Sequence, residues 1–166
     1  MKKRIIILGS VVVAVIVLWS TAWLVVAGMA RQNIEALAAG DGVTAPQIAC
    51  DRLNVGGYPF RFDVVCSNAR IVSGDLTAEV PAIRASVRVY APTHMLASAA
   101  GPAQLNDSFT GSRNGIAWST LDASIRLDDW RIARASLSGK DMVWSDTLFG
   151  DALIAQSPLL EVHLFD

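Results

Sequence analysis

The sequence predicts a mainly β fold: an N-terminal transmembrane helix, then a curved antiparallel β-sheet wound as a meander, with one short helix. Three observations carry this. Ile5 to Ala30 runs without a single charge. Beyond Phe60, apolar and polar residues alternate with period two, the signature of a strand with one buried face. The breaks between these runs recur roughly every ten residues, too close for parallel crossovers, which need a dozen or more intervening residues.

The helix comes first. Met1-Lys2-Lys3-Arg4 is a basic start, and the uncharged run ends at Arg31. A helix from Ile5 to Gly28 would be about 36 Å long, enough for a hydrocarbon core of roughly 30 Å. The basic tail then stays in the cytoplasm and the rest of the chain lies across the membrane. A signal-peptide core is shorter than this run, so Gly28-Met29-Ala30 is read as part of an anchor and not as a cleavage site. Cys50 lies too far beyond the apolar run for a lipoprotein site. Trp19 and Trp23 share a helix face, as residues that anchor at the outer interface do. Arg31 to Ala39 continues the helix, and Gly40-Asp41-Gly42 ends it.

Of 14 basic residues, three lie in the tail, leaving 11 against 15 acidic ones, a balance of −4 beyond the anchor. That excludes a nucleic-acid partner, which needs a basic surface. Lys and Arg are spread singly, so no polybasic lipid-binding run is visible.

Next comes a hairpin between two cysteines, Cys50 and Cys66. Gly56-Gly57-Tyr58-Pro59-Phe60 marks its turn, between Leu53-Asn54-Val55 and Phe60-Arg61-Phe62-Asp63-Val64. A hairpin symmetric about Tyr58 sets Cys50 opposite Cys66, and a disulfide in an oxidising compartment would add about 3 kcal/mol. That register also sets Phe62 and Val64 opposite Asn54 and Arg52, a mismatch that a bulge at the glycines would repair. The two thiols with the distant His94 and His163 match no zinc spacing, and no CxxC redox motif is present. No metal and no cofactor is therefore expected.

The later strands follow in order. Ile83, Ala85, Val87 and Val89 alternate with polar residues, as do Leu121, Ala123, Ile125 and Leu127, and Leu160, Val162 and Leu164. Shorter strands are expected at 69–72, 76–80, 131–137 and 141–144. Pro92 to Ala99 reads as the short helix, capped by Thr93 and stopped by Gly101-Pro102. Gln104 to Gly115 reads as an exposed loop. One helix cannot cover the apolar face of so many strands, so that face must be closed by curling, a second layer, a partner or a ligand. The strand Leu160 to Phe165 has no cap after it and is a candidate edge for a protein partner or for self-association.

Cys50 through Gly56-Gly57-Tyr58-Pro59-Phe60-Arg61-Phe62 to Cys66, behind an N-terminal anchor, resembles the DUF2125 proteins of alphaproteobacteria. Ala82-Ile83 to Val89-Tyr90-Ala91-Pro92-Thr93, and Ala117-Trp118 with Leu121-Asp122-Ala123-Ser124, look like later parts of the same pattern. The resemblance covers roughly residues 1–140 and brings no catalytic residues to carry over. Its members are longer, which implies that this chain is an N-terminal portion. The general plan is similar to AsmA-like envelope proteins, with an anchor, an apolar-lined β-sheet and a link to lipid handling.

The organisation expected is a cytoplasmic tail at 1–4, an anchor at 5–30, a helical extension and linker at 31–42, and a periplasmic β-rich domain at 43–166, held on the inner membrane with a single pass. His94 and His163 read as surface polar residues. Trp118, Trp130 and Trp144 read as core anchors, with groove lining and membrane-interface positions as the competing readings. No nucleophile–base frame is visible, so an enzyme is not expected. The leading expectation is an apolar groove for membrane lipid, lined by Phe60, Phe62, Val64, Ile83, Val87, Val89, Ile125 and Leu127. The alternative is an assembly protein whose open edge is completed by β-augmentation.

Overall fold

A computed structural model of the chain describes residues 2–43, 46–129, 131–148 and 150–165. Helix α1 covers Lys2–Ala38, and its apolar stretch has a mean hydropathy of 2.6, enough to cross a membrane by length and composition. Gly42, at φ +73°, lets the chain turn away, a conformation that an L side chain rarely adopts. The Gln47 amide donates to the Ala38 carbonyl at 2.7 Å, meeting one of the carbonyls that a helix end leaves open.

Among the described residues nine strands follow: β1 (Gln47–Gly56), β2 (Arg61–Ser73), β3 (Leu76–Arg88), β4 (Ala91–Ala100), β5 (Ala103–Asp107), β6 (Arg113–Ala117), β7 (Thr120–Asp128), β8 (Arg131–Asp146) and β9 (Ala152–Phe165). All pair antiparallel in one sheet. β6 and β7 both run along β8 without a change of register, Ala117 opposite Val143 and Thr120 opposite Lys140. β4 and β5 both run along β3, with a shift of one residue between them, Ala100 opposite Ala82 and Gln104 opposite Glu79. Each of these pairs is one long strand interrupted once. The predicted meander is therefore present, with β9 added outside β8.

Two expectations fail. Pro92 to Ala99 is strand β4, not a helix. A helix that short is marginal alone, and here the segment bonds to β3 on one side and β7 on the other. Its Pro92 sits near the strand start, where a missing N–H is tolerated. Gln104 to Gly115 holds most of β5 and the start of β6, and only the turn between them is loop. These polar strands pair with β3 and β8, whose ends would otherwise be bare.

The interruptions share one line. Asp51, Asn68, Pro81, Gly101, Ser119, Asp141 and Pro158 are skipped by the pairing, and the registers set them side by side across the sheet. Asn68 and Asp141 have φ of 49° and 51°, and the prolines lack a donor. Side chains replace part of the lost ladder. Asn68 donates to Asp51 at 2.9 Å, and Ser119 to Asp141 at 2.8 Å. Trp118 donates to the Ala99 carbonyl at 2.8 Å and lies over Gly101, where a Cβ would meet its ring at 3.1 Å. The line explains why the segments 69–72 and 76–80 read as separate short strands when they belong to β2 and β3.

Among the described residues the buried apolar ones are Ala27, Cys66, Ala69 and Ala103, all small. Among these residues the fold is a helix and a sheet without a closed core.

Candidate functional site

The site is a sheet face. Directly paired residues share a face, so the registers can be read across the strands as rows. One row runs Phe62, Val87, Met95, Ile125, Ala135, Leu164 from β2 to β9. The next runs Val64, Ala85, Ala97, Ala123, Leu137, Val162. A third runs Cys66, Ile83, Ala99, Leu121, Gly139, Leu160. None of the three contains a polar side chain. The alternate row, on the other face, runs Asp63, Ser86, Leu96, Ser124, Ser136, His163, and only Leu96 in it is apolar. On this side of the interruption line the alternation thus stays in phase from β2 to β9.

Among the described residues, cover lies at one edge. Trp23 of α1 stacks on Phe62 with ring centroids 5.4 Å apart and planes 4° apart, and meets Tyr58 edge-on at 5.6 Å. Further along, Ile34 and Ala38 of the helix line a pocket with Ile48, Cys50 and Leu53 of β1. Past β2 nothing described lies over the face. Met95 is 39% exposed, Val162 42% and Leu164 64%.

Five of the eight residues expected to line a groove, Phe62, Val64, Ile83, Val87 and Ile125, fall in these rows. Leu127 lies just beyond Ile125, opposite Ile132 after a bulge in β8. Phe60 and Val89 do not belong to the ladder. They sit in the β1–β2 and β3–β4 turns, where a cleft of about 460 Å³ is lined by Val15, Ile16 and Trp19 of the helix with Tyr58, Pro59 and Tyr90. Met95, Ala97, Leu121, Leu137 and the β9 residues were missed as lining, although the alternation of β7 and β9 already marked Leu121, Leu160, Val162 and Leu164.

Cys50 and Cys66 lie at disulfide distance, with Cα atoms 5.4 Å apart. The register symmetric about Tyr58 is not the one adopted. Cys66 stands opposite Leu53, Val64 opposite Val55, and Cys50 opposite Ala69. This shift pairs apolar with apolar, which the symmetric register did not. It needs no bulge at the glycines: Gly57, at φ +97°, accepts the Arg61 N–H at 2.9 Å and closes the turn. The sulfurs still meet because Asp51 and Asn68, between them, are skipped by the ladder.

The remaining polar candidates are dispersed. His94 is bonded to the Ser124 hydroxyl at 3.0 Å, and His163 lies 3.9 Å from Glu161 on the exposed side. Asp107 is held below the usual carboxylate range by Thr110 and by the Thr110 and Phe109 amides, in a turn remote from the apolar rows. Among the described residues no cluster of three His, Cys, Asp or Glu could hold a metal. Trp118 is half-buried on the interruption line, and Trp144, opposite Ile116, is 43% exposed, so neither anchors a closed core. Trp130 lies outside the described residues.

A family model described as "Uncharacterized protein conserved in bacteria (DUF2125)" matches residues 23–162. No curated protein and no solved structure matches.

Proposed function

Because the chain belongs to the DUF2125 family, whose description carries no activity, we propose a function from the sheet face itself. The protein is anchored in the inner membrane by α1, with the N-terminus in the cytoplasm and the sheet in the periplasm. It shields lipid acyl chains on the apolar face and performs no catalysis. The observation that carries this reading is the set of three apolar rows crossing from β2 to β9 with cover from α1 at one edge only. Each methylene laid on such a face and removed from water is worth about 0.8 kcal/mol, so an acyl chain is a sufficient ligand without any polar recognition. Lys2, Lys3 and Arg4 set the orientation.

The test is retention. The full chain is extracted into a lipid-free amphipol and analysed by native mass spectrometry. Phospholipid at a defined stoichiometry is expected, and it is lost in Val87→Asp while Ser86→Asp, on the other face, keeps it. A folded Val87→Asp protein that retains the same lipid would refute the face assignment.

A second reading rests on β9. This strand pairs with β8 alone among the described strands, and Leu153, Ile154, Leu159 and Leu160 on it are exposed. Such an edge is a template for strand addition from a partner or a second copy. Disulfide crosslinking between copies bearing Ser157→Cys would support it; a crosslink-free monomer at membrane concentration would oppose it.

A further inference from the structure

We propose that the end of the sheet beside Trp19 seats on the outer leaflet of the bilayer, with its aromatic turns among the acyl chains and a row of arginines on anionic lipid headgroups. The inference rests on the anchor half of the function above and not on lipid cargo.

The first observation is depth. If the hydrocarbon core begins at Ile5, Trp19 lies about 21 Å along the helix and Trp23 about 27 Å, both short of a far boundary near 30 Å. The indole of Trp19 donates to the Pro59 carbonyl at 3.1 Å, that of Trp23 to the Arg61 carbonyl at 3.2 Å, and Ser20 meets the Tyr58 hydroxyl at 2.8 Å. The β1–β2 turn is therefore fastened to a part of the helix that lies inside the boundary. These bonds also satisfy turn carbonyls that lipid could not. Tyr58, Phe60 and Tyr90 are 50%, 61% and 72% exposed at this end, as residues facing lipid would be. The cleft between them and the helix is almost wholly apolar.

The second observation is charge. Arg61 stands directly opposite Arg88 in the end pair of its ladder, and Arg126 directly opposite Arg134, two pairs in from the β7–β8 turn. His94 is paired with Arg126. Like charges directly opposite are destabilising in a sheet, so two such pairs at one end of it, on either side of the bulge that sets Arg88 opposite Ala91, call for anions beside them. Asp63 answers Arg61 at 3.0 Å, and Arg88 and Arg134 lie over the rings of Tyr90 and Phe165, but no described carboxylate pairs with Arg88, Arg126 or Arg134. All four arginines are exposed. Dispersed singly in sequence, they are gathered by the register at the level of Trp23, within reach of the phosphate layer. A sheet domain that is acidic overall thus has these four of its nine arginines at the end near the membrane, with Asp128 and Asp129 at the β7–β8 turn of the same end.

The test reads depth at single labels in the full chain, the native cysteines remaining paired. An environment-sensitive fluorophore is placed at Phe60→Cys, Tyr90→Cys, Val12→Cys in the anchor, and Phe109→Cys, an aromatic 85% exposed at the opposite end of the sheet. The protein is reconstituted in phosphatidylcholine vesicles with and without about one third phosphatidylglycerol. Labels at 60 and 90 are expected to match 12, blue-shifted and shielded from aqueous iodide, with 109 in water. Arg88→Gln with Arg126→Gln, or omission of phosphatidylglycerol, should increase iodide access at 60 and 90, each arginine shifting the seated population about fivefold. Labels at 60 and 90 that behave as 109 while 12 stays shielded would overturn the seating and leave the anchor standing. A wet label at 12 would overturn both. Indifference to phosphatidylglycerol and to both arginine changes would overturn the headgroup assignment.

Discussion

Gly57 and Trp23 decide how helix and sheet meet. A Cβ on Gly57 would lie 2.8 Å from the Arg61 carbonyl oxygen, at a φ of +97°. Gly57→Ala is therefore expected to destabilise by about 1–3 kcal/mol, read as a lower urea midpoint with unchanged slope. Gly74, at φ +58° in the opposite turn, has open space around it, so Gly74→Ala should cost less. Trp23 joins α1 to Phe62 through its ring and to Arg61 through its indole N–H. Trp23→Phe keeps the stack and loses the bond. It should cost about 1 kcal/mol, against about 3 for Trp23→Ala, in thermal unfolding of the reconstituted protein.

At the scale of the element, the Cys50–Cys66 link ties β1 to β2 across the line where every strand skips a pair. Reducing it, or replacing both cysteines by serine, should cost about 3 kcal/mol and release β1 first, seen as faster hydrogen exchange at Leu53 and Val55. The strands with strict alternation were legible in the sequence because period two reports a half-covered face directly, as at Ile83 to Val87 and Leu121 to Ile125. The strand at Ala91–Ala100 was not, because Met-Leu-Ala-Ser-Ala-Ala favours a helix locally and only its neighbours on both sides make it a strand. The hairpin register escaped for a similar reason. Centring on Tyr58 used the turn alone, whereas the pairing of Val55 with Val64 is set by the apolar face.

At the scale of the whole molecule, the sequence showed an excess of one-sided strands over covering helix, and the structure keeps that excess uncovered. It could not show that the apolar residues align in continuous rows, since row membership depends on five separate registers. The same holds for the arginines, which no run in the chain brings together. Three rows of apolar side chains, open past β2 and starting beside α1, are the account's central claim. The most direct measurement places a photoreactive benzophenone amino acid at Ala97, Ser98, Leu121 and Asp122 in turn and irradiates intact membranes. Positions 97 and 121 should yield phospholipid adducts, and 98 and 122 none above background. Equal labelling on both faces, or adducts to protein alone at 97 and 121, would contradict the lipid-shielding face.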